Sequence, residues 1–217
     1  MAGEGSIADR VTGQLRDAIV AGRLGPGSEF SMREMAQRFE VSFIPVREAV
    51  RSLQAEGLVV IRGGRRPVVA PLDAQDLFGV HRLRQLIEPE LAAHASQLLH
   101  AVDLERAERH LARAADTSLS DDARYTAHRD FHSELLRPAL TPWDDRVLRM
   151  AWYAAERCVR AGLATSDRRA LEGHVVTTHS ALLATFRCGE PDAVREVVRE
   201  HLRQNLDAAL RGVPRSF

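Results

Sequence analysis

The sequence predicts a mainly α protein: a small three-helix unit closed by a β-hairpin, then an all-α bundle of six or seven helices. Three observations carry this. Apolar residues recur at helical spacing through most of the chain, as in Val46, Ala49, Val50 and Leu53. One pair of β-branched runs, Leu58 to Ile61 and Pro67 to Ala70, breaks that period and reads as a hairpin. After Pro71-Leu72 no strand pattern returns, so the chain divides into residues 1–72 and 73–217.

Each element has a local reason. Ser6 caps a helix reaching about Ala21, with Ile7, Val11, Leu15, Ala18 and Ile19 on one face. Leu24-Gly25-Pro26-Gly27 ends it. Ser31 and Glu34 fit a capping box at the start of a short helix with Met35, Ala36 and Phe39 on its apolar face. The chain turns through Glu40 and Val41. Ser42 caps the next helix, Pro45 is tolerated in its first turn, and Gly57 stops it. Arg47 and Arg51, four apart, make its outer face basic. An ordinary helical hairpin with a solvated face fits these two helices equally well. The hairpin that follows, tipped by Arg62-Gly63-Gly64-Arg65-Arg66, turns the reading toward a winged helix-turn-helix that binds DNA. Asp73 then opens a helix toward Glu88, and Pro89 begins another reaching about Leu99. Helices follow over Asp103 to Ala115, Ser120 to Leu136, Asp144 to Ala164, Arg168 to Cys188 and Pro191 to Arg211.

Composition narrows the class further. Hydrophobic content of 45% supports a real core, and the formal net charge of zero gives no global pull toward nucleic acid or membrane. Residues 1–72 hold ten Arg and eight acids, a net of +2 that the rest of the chain balances. All thirty basic residues are arginine. Two cysteines without a motif, no signal-like start and no membrane-length apolar run lead to the expectation of a cytoplasmic protein.

The histidines form the second signal. His128 and His132 stand four apart on one helix, so their side chains share a face. His179 and His201 lie on later helices. A bundle can point several imidazoles at one metal. Two surface histidines, or one buried and hydrogen-bonded, would give the same pair.

Residues Val11 to Leu72 resemble the DNA-binding domain of the GntR family of bacterial transcription regulators. The resemblance rests on Gly22-Arg23-Leu24, Pro26-Gly27, Ser31 to Ala36, Val41-Ser42, Pro45 to Ala49, Leu53, Glu56 to Val59 and Val69 to Leu72. Glu40 and Arg66 stand where the family commonly has Gly, and Phe43 where it has Arg. The DNA contacts this implies are Arg33, Ser42, Phe43, Arg47, Arg51, Arg65 and Arg66. Phe43 cannot hydrogen-bond, but it can pack on a thymine methyl.

The helical half resembles the FadR subfamily, whose effector domain is of the FCD type, through Leu83-Arg84, Leu86 to Pro89, Phe131-His132, His179, Leu182-Leu183 and Glu200 to Leu202. In many FCD domains an Asp or Asn, a His four residues on, and two further His bind a divalent metal. The matching positions here are His128, His132, His179 and His201, with His128 replacing the oxygen ligand. An all-nitrogen set favours zinc, with nickel as the alternative. The family's effector is often a small organic acid, and Arg84 and Asn205 are the positions that would meet it. His174 points away from His179, and His81, His94, His100 and His110 read as surface or amphipathic residues. The expectation is a cytoplasmic homodimeric repressor that binds a palindromic operator and answers to a metal and a small carboxylate. A zinc-dependent hydrolase built on the four histidines is the alternative from another class. A regulator whose helical domain only dimerises is a third reading.

Overall fold

The computed structural model describes residues 6–63, 65–163, 168–211 and 213, without the side chains of 162–176. His174 therefore lies outside the described side chains.

Helix α1 (Ile7–Val20) opens with a complete capping box between Ser6 and Asp9. It buries Val11, Leu15 and Ile19, while Ile7, expected on that face, is 56% exposed. Helix α2 (Met32–Arg38) has only half of its expected box: the Glu34 N–H donates to Ser31 Oγ at 3.4 Å, with no return bond. Helix α3 (Phe43–Ala55) crosses α1 and buries Val46, Ala49, Val50 and Leu53. Between α2 and α3 the chain makes a left-handed turn at Glu40, with φ of 54°. The Val41 and Glu40 N–H groups reach back to the Ala36 and Gln37 carbonyls, so the turn closes as a Schellman motif with a carboxylate side chain at the position that favours glycine. Gly57, φ 74°, closes α3 in the same way without that cost.

Strands β1 (Val59–Val60) and β2 (Val68–Val69) pair antiparallel, Val59 opposite Val69. They are shorter than the four-residue runs expected, because only those residues find ladder partners. Glu29 adds a single bridge to Val68. Phe30, Leu58, Val59 and Val69 complete the core of this unit.

The second half is all helical among its described residues: α4 (Ala74–Ser96), α5 (Ala101–Ala115), α6 (Asp121–Leu136), α7 (Pro142–Leu163), α8 (Arg168–Cys188) and α9 (Pro191–Leu210). The expected break at Pro89 does not occur, and α4 runs straight through it. An interior proline costs about 3 kcal/mol. Continuity keeps Leu77, His81, Arg84, Glu88, Ala92 and Ala95 on one buried stripe against α7 and α9, and the apolar residues of the helix, with Ile87 and Leu91 packed on the bundle core, work against that cost. His81 is the correction that follows: it is 2% exposed, not a surface residue. Phe131, Leu135, Leu148, Trp152, Leu182 and Leu202 centre the core of the bundle.

Candidate functional site

Two regions carry chemistry. The first is the face formed by α2, the start of α3 and the hairpin. Ser42 sits at the N-cap of α3, yet its side chain makes no capping bond. Its hydroxyl, exposed beside the unpaired N–H groups of the first turn, is free to meet a phosphate. Among the described residues, Arg33, Arg47, Arg51, Arg65 and Arg66 are exposed and make no ion pair. In the helical half, Arg84, Arg106, Arg129, Arg137, Arg160, Arg195 and Arg203 meet carboxylates. Exposed, unpaired guanidiniums are what a polyanion needs. Phe43 is 40% exposed at the tip of α3, and Ile44 beside it is 56% exposed. Ile44 carried no sequence signal, since an isoleucine next to Pro45 reads as core.

The second region lies inside the bundle. His128 and His132 project from one face of α6 toward His179 of α8. Their Nε2 atoms stand 2.8 Å (His128 to His179), 3.0 Å (His132 to His179) and 3.4 Å (His128 to His132) apart. Each neutral Nε2 carries either a proton or a lone pair, so among three that face one another at least two must present the same. A cation among them removes the conflict. Nitrogens held about 2.0–2.1 Å from one ion, at octahedral to tetrahedral angles, stand roughly 2.9–3.4 Å apart. The triangle has that size. Burial, and the neighbouring His179 and Arg84, hold His128 well below the usual histidine range, and burial with the surrounding imidazoles does the same for His132. Neutral imidazole is the form that ligates metal.

His201 of α9 joins differently. Its ring packs on His132 and His179, with centroids 5.0 and 4.7 Å away, but its Nε2 faces the Asn205 amide at 3.0 Å. Three of the four expected nitrogens thus converge, and the fourth ring stands beside them with Asn205 as its partner. Arg84 is buried and committed within its own helix. Its Nε and Nη2 donate to Glu88 at 2.6 and 3.3 Å, and Trp152 Nε1 donates to the same carboxylate at 2.9 Å. Glu88 and Trp152 were missed from the sequence, although an Arg and a Glu four apart on a helix are natural partners. His81, one turn before Arg84, has neither ring nitrogen hydrogen-bonded among the described residues, and burial together with Arg84 pushes its pKa down to about 4.

A cleft of about 380 Å³ opens elsewhere, between α1 of the first unit and α5, α6 and α7 of the second; Arg23, Arg113, Asp122, Arg129, Asp130 and Arg160 line it. It shares α6 with the histidines.

Comparison with known proteins agrees with both halves. Residues 7–69 match the family described as bacterial regulatory proteins, gntR family, and residues 80–204 match the FCD domain. The HTH-type transcriptional regulator BphR of Paraburkholderia xenovorans is 27% identical over 93% of this chain and 84% of its own length. The HTH-type transcriptional repressor RspR of Escherichia coli K12 is 26% identical over 88% of this chain and 83% of its own. In fold the chain resembles E. coli McbR/YncC, with a TM-score of 0.86 at 19% identity over 95% of this chain and 98% of that one. A GntR transcriptional regulator from Rhodococcus sp. RHA1 gives 0.76 at 23% identity over the same shares. No helix among the described residues is long and apolar enough to cross a membrane. A gntR-type winged helix followed by an FCD domain spanning more than half the chain makes this protein a member of the GntR family, an FCD-containing DNA-binding transcriptional regulator and not an enzyme.

Proposed function

We propose that the protein is a homodimeric repressor that binds a palindromic operator through its winged helices. Its helical domain holds a divalent transition metal, zinc or nickel, and a small carboxylate whose binding releases the operator. The observation that carries this reading is the triangle of three imidazole Nε2 atoms, with His179 buried and His128 and His132 partly buried, gathered within the bundle. His128, His132 and His179 would hold the ion, with His201 and Asn205 the next residues in reach. The ion would supply a Lewis-acidic point for a carboxylate oxygen. Glu88 and Trp152 fix the Arg84 guanidinium near that point, so the arginine is oriented before any ligand arrives. The repressor sign is supported by RspR, which is named a repressor. Dimerisation is supported by apolar side chains left exposed on two helices: Phe78, Leu83 and Leu86 on α4, and Trp143, Val147 and Met150 on α7. A two-fold dimer would match a two-fold operator.

Elemental analysis of untagged protein, with zinc titration of wild type and His179→Ala, tests the site. About one ion per chain, with most affinity lost in the variant, is the expected result. Protein that carries no metal and takes up none at micromolar concentration refutes it, and the helical domain would then be a metal-free pocket centred on Arg84. Operator affinity, read by fluorescence anisotropy on the upstream region of the gene with and without small carboxylates, tests the regulation.

A further inference from the structure

The two halves of the chain meet at a side chain that neither sequence motif contains. Tyr153 lies on α7, in the helical half, but packs partly buried against the core of the winged unit. Two guanidiniums reach its ring. The Arg16 Cζ of α1 is 5.2 Å from the ring centroid, and the Arg129 Cζ of α6 is 5.1 Å from it. Two cations at one ring repel unless each is balanced, and each is. Arg16 makes a two-pronged pair with Glu56, at 2.8 and 2.6 Å. Arg129 pairs with Glu156 at 3.1 Å, which also pairs with Arg160 at 3.0 Å. The aromatic face supplies the negative potential between them.

Both ends of this chain of contacts are functional elements. Glu56 is the C-cap of α3, the helix whose other end carries Phe43 and Arg47. Arg129 follows His128 directly on α6. Every step between is a van der Waals, cation–π or ion-pair contact. Two further ties cross the same boundary: Asp122 pairs with Arg23 and Arg160, and the Arg157 guanidinium donates to the Ala70 carbonyl. The cleft lined by Arg23, Asp122, Arg129 and Arg160 leaves α1 open space on this side of α6.

We infer that Tyr153 is a positioning residue for operator binding, the joint through which α6 sets the orientation of the recognition helix α3. This rests on the reading that the histidine cluster regulates DNA binding. The geometry gives leverage. From Glu56 to Phe43 the helix extends about 20 Å at 1.5 Å per residue. A tilt of roughly 5° at the Glu56 end therefore moves the reading end by about 1.7 Å, more than a base-edge hydrogen bond tolerates.

The test uses the full chain, zinc as the probe, and three proteins: wild type, Tyr153→Phe and Tyr153→Leu. The readouts are zinc affinity, operator affinity with and without zinc, and hydrogen exchange in α1 and α3 of the DNA-free protein. Tyr153→Phe keeps the ring and should keep the wild-type ratio of operator affinities. Tyr153→Leu keeps apolar bulk but no π face. It should bind zinc as wild type does, bring the affinity ratio toward one by roughly 2- to 30-fold, and speed exchange in α1 and α3. If zinc binds wild type without altering operator affinity, or if Tyr153→Leu keeps the full ratio, the joint is refuted. If wild type binds no zinc, the metal reading fails, and exchange alone decides the joint: equal exchange in the Leu and Phe variants overturns it. If Tyr153→Leu does not fold, Arg16→Gln severs the contact from the other side, and a retained ratio there overturns the inference.

Discussion

Glu88→Gln is the substitution that asks most of the bundle core. Glu88 and Arg84 are 5% and 8% exposed, and the carboxylate accepts from both the guanidinium and Trp152. Glutamine keeps an acceptor oxygen for Trp152 but removes the charge that balances Arg84. Breaking a buried ion pair by removing one partner costs about 3–5 kcal/mol. The retained indole bond places this change near 3 kcal/mol, a drop of roughly 6–12 °C in Tm at this chain length. Glu88→Leu also strands the Trp152 N–H, adding about 1–3 kcal/mol. Combining Arg84→Met with Glu88→Leu removes both charges and should be several kcal/mol less damaging than Glu88→Leu alone. Urea unfolding followed by circular dichroism measures all three. The proposed effector chemistry gives a second readout. With Glu88 neutral, acetate can pair with the released guanidinium, so millimolar acetate should raise the Tm of Glu88→Gln more than that of wild type. A Glu88→Gln cost under about 1 kcal/mol, or a double variant as unstable as Glu88→Leu, would refute a buried pair holding this core.

Three further outcomes follow from other sites. Glu40→Gly should raise stability by about 1 kcal/mol, because a left-handed φ costs a side-chain-bearing residue about 1–2 kcal/mol that glycine avoids; thermal melts check it, and unchanged operator affinity is expected alongside. Arg47→Ala should weaken specific binding by about 1–3 kcal/mol if it reads a base, while Phe43→Arg should tighten binding to all DNA and steepen its salt dependence; anisotropy at several salt concentrations separates them. Stability should fall as pH drops from about 6.5 toward 4: His81 is neutral when folded and titrates near 4, so the unfolded chain binds more protons in that window, and each such histidine contributes a slope of up to about 1.4 kcal/mol per pH unit. His81→Phe, which also replaces two unsatisfied nitrogens, should flatten that slope, and a variant with the wild-type pH profile would show that His81 is not the group responsible.

Local chemistry made most of the first unit legible. Val11, Leu15 and Ile19 repeat as a helix must, and Ser6 announces its start, to which the structure adds the return bond of Asp9. Local chemistry also misled at Pro89, where a rule about one missing N–H met a stripe of buried side chains spanning the whole helix. His81 looked like a surface residue because burial is decided by α7 and α9, far away in sequence. The histidine pair on α6 was readable from spacing. Its closure by His179 across the bundle was implied only by resemblance, and the turning of His201 toward Asn205 left no trace in the sequence. Tyr153 sits in the run Ala151 to Cys158, where an amphipathic helix explains every residue, so nothing marked it as a joint.

The three facing imidazoles also bear on how the domain reaches its native state. Most core positions favour the fold whatever else is present, and their preferences reinforce one another. Here three residues brought together from α6 and α8 disagree by construction, since no assignment of protons lets all three nitrogens attract. That is local frustration, placed where side chains of α6 and α8 meet within the bundle. A chain that lacks a guest should hold α8 against α6 less firmly at that point. The guest would then act as part of the folding code, converting a small hill at the bottom of the funnel into its lowest point.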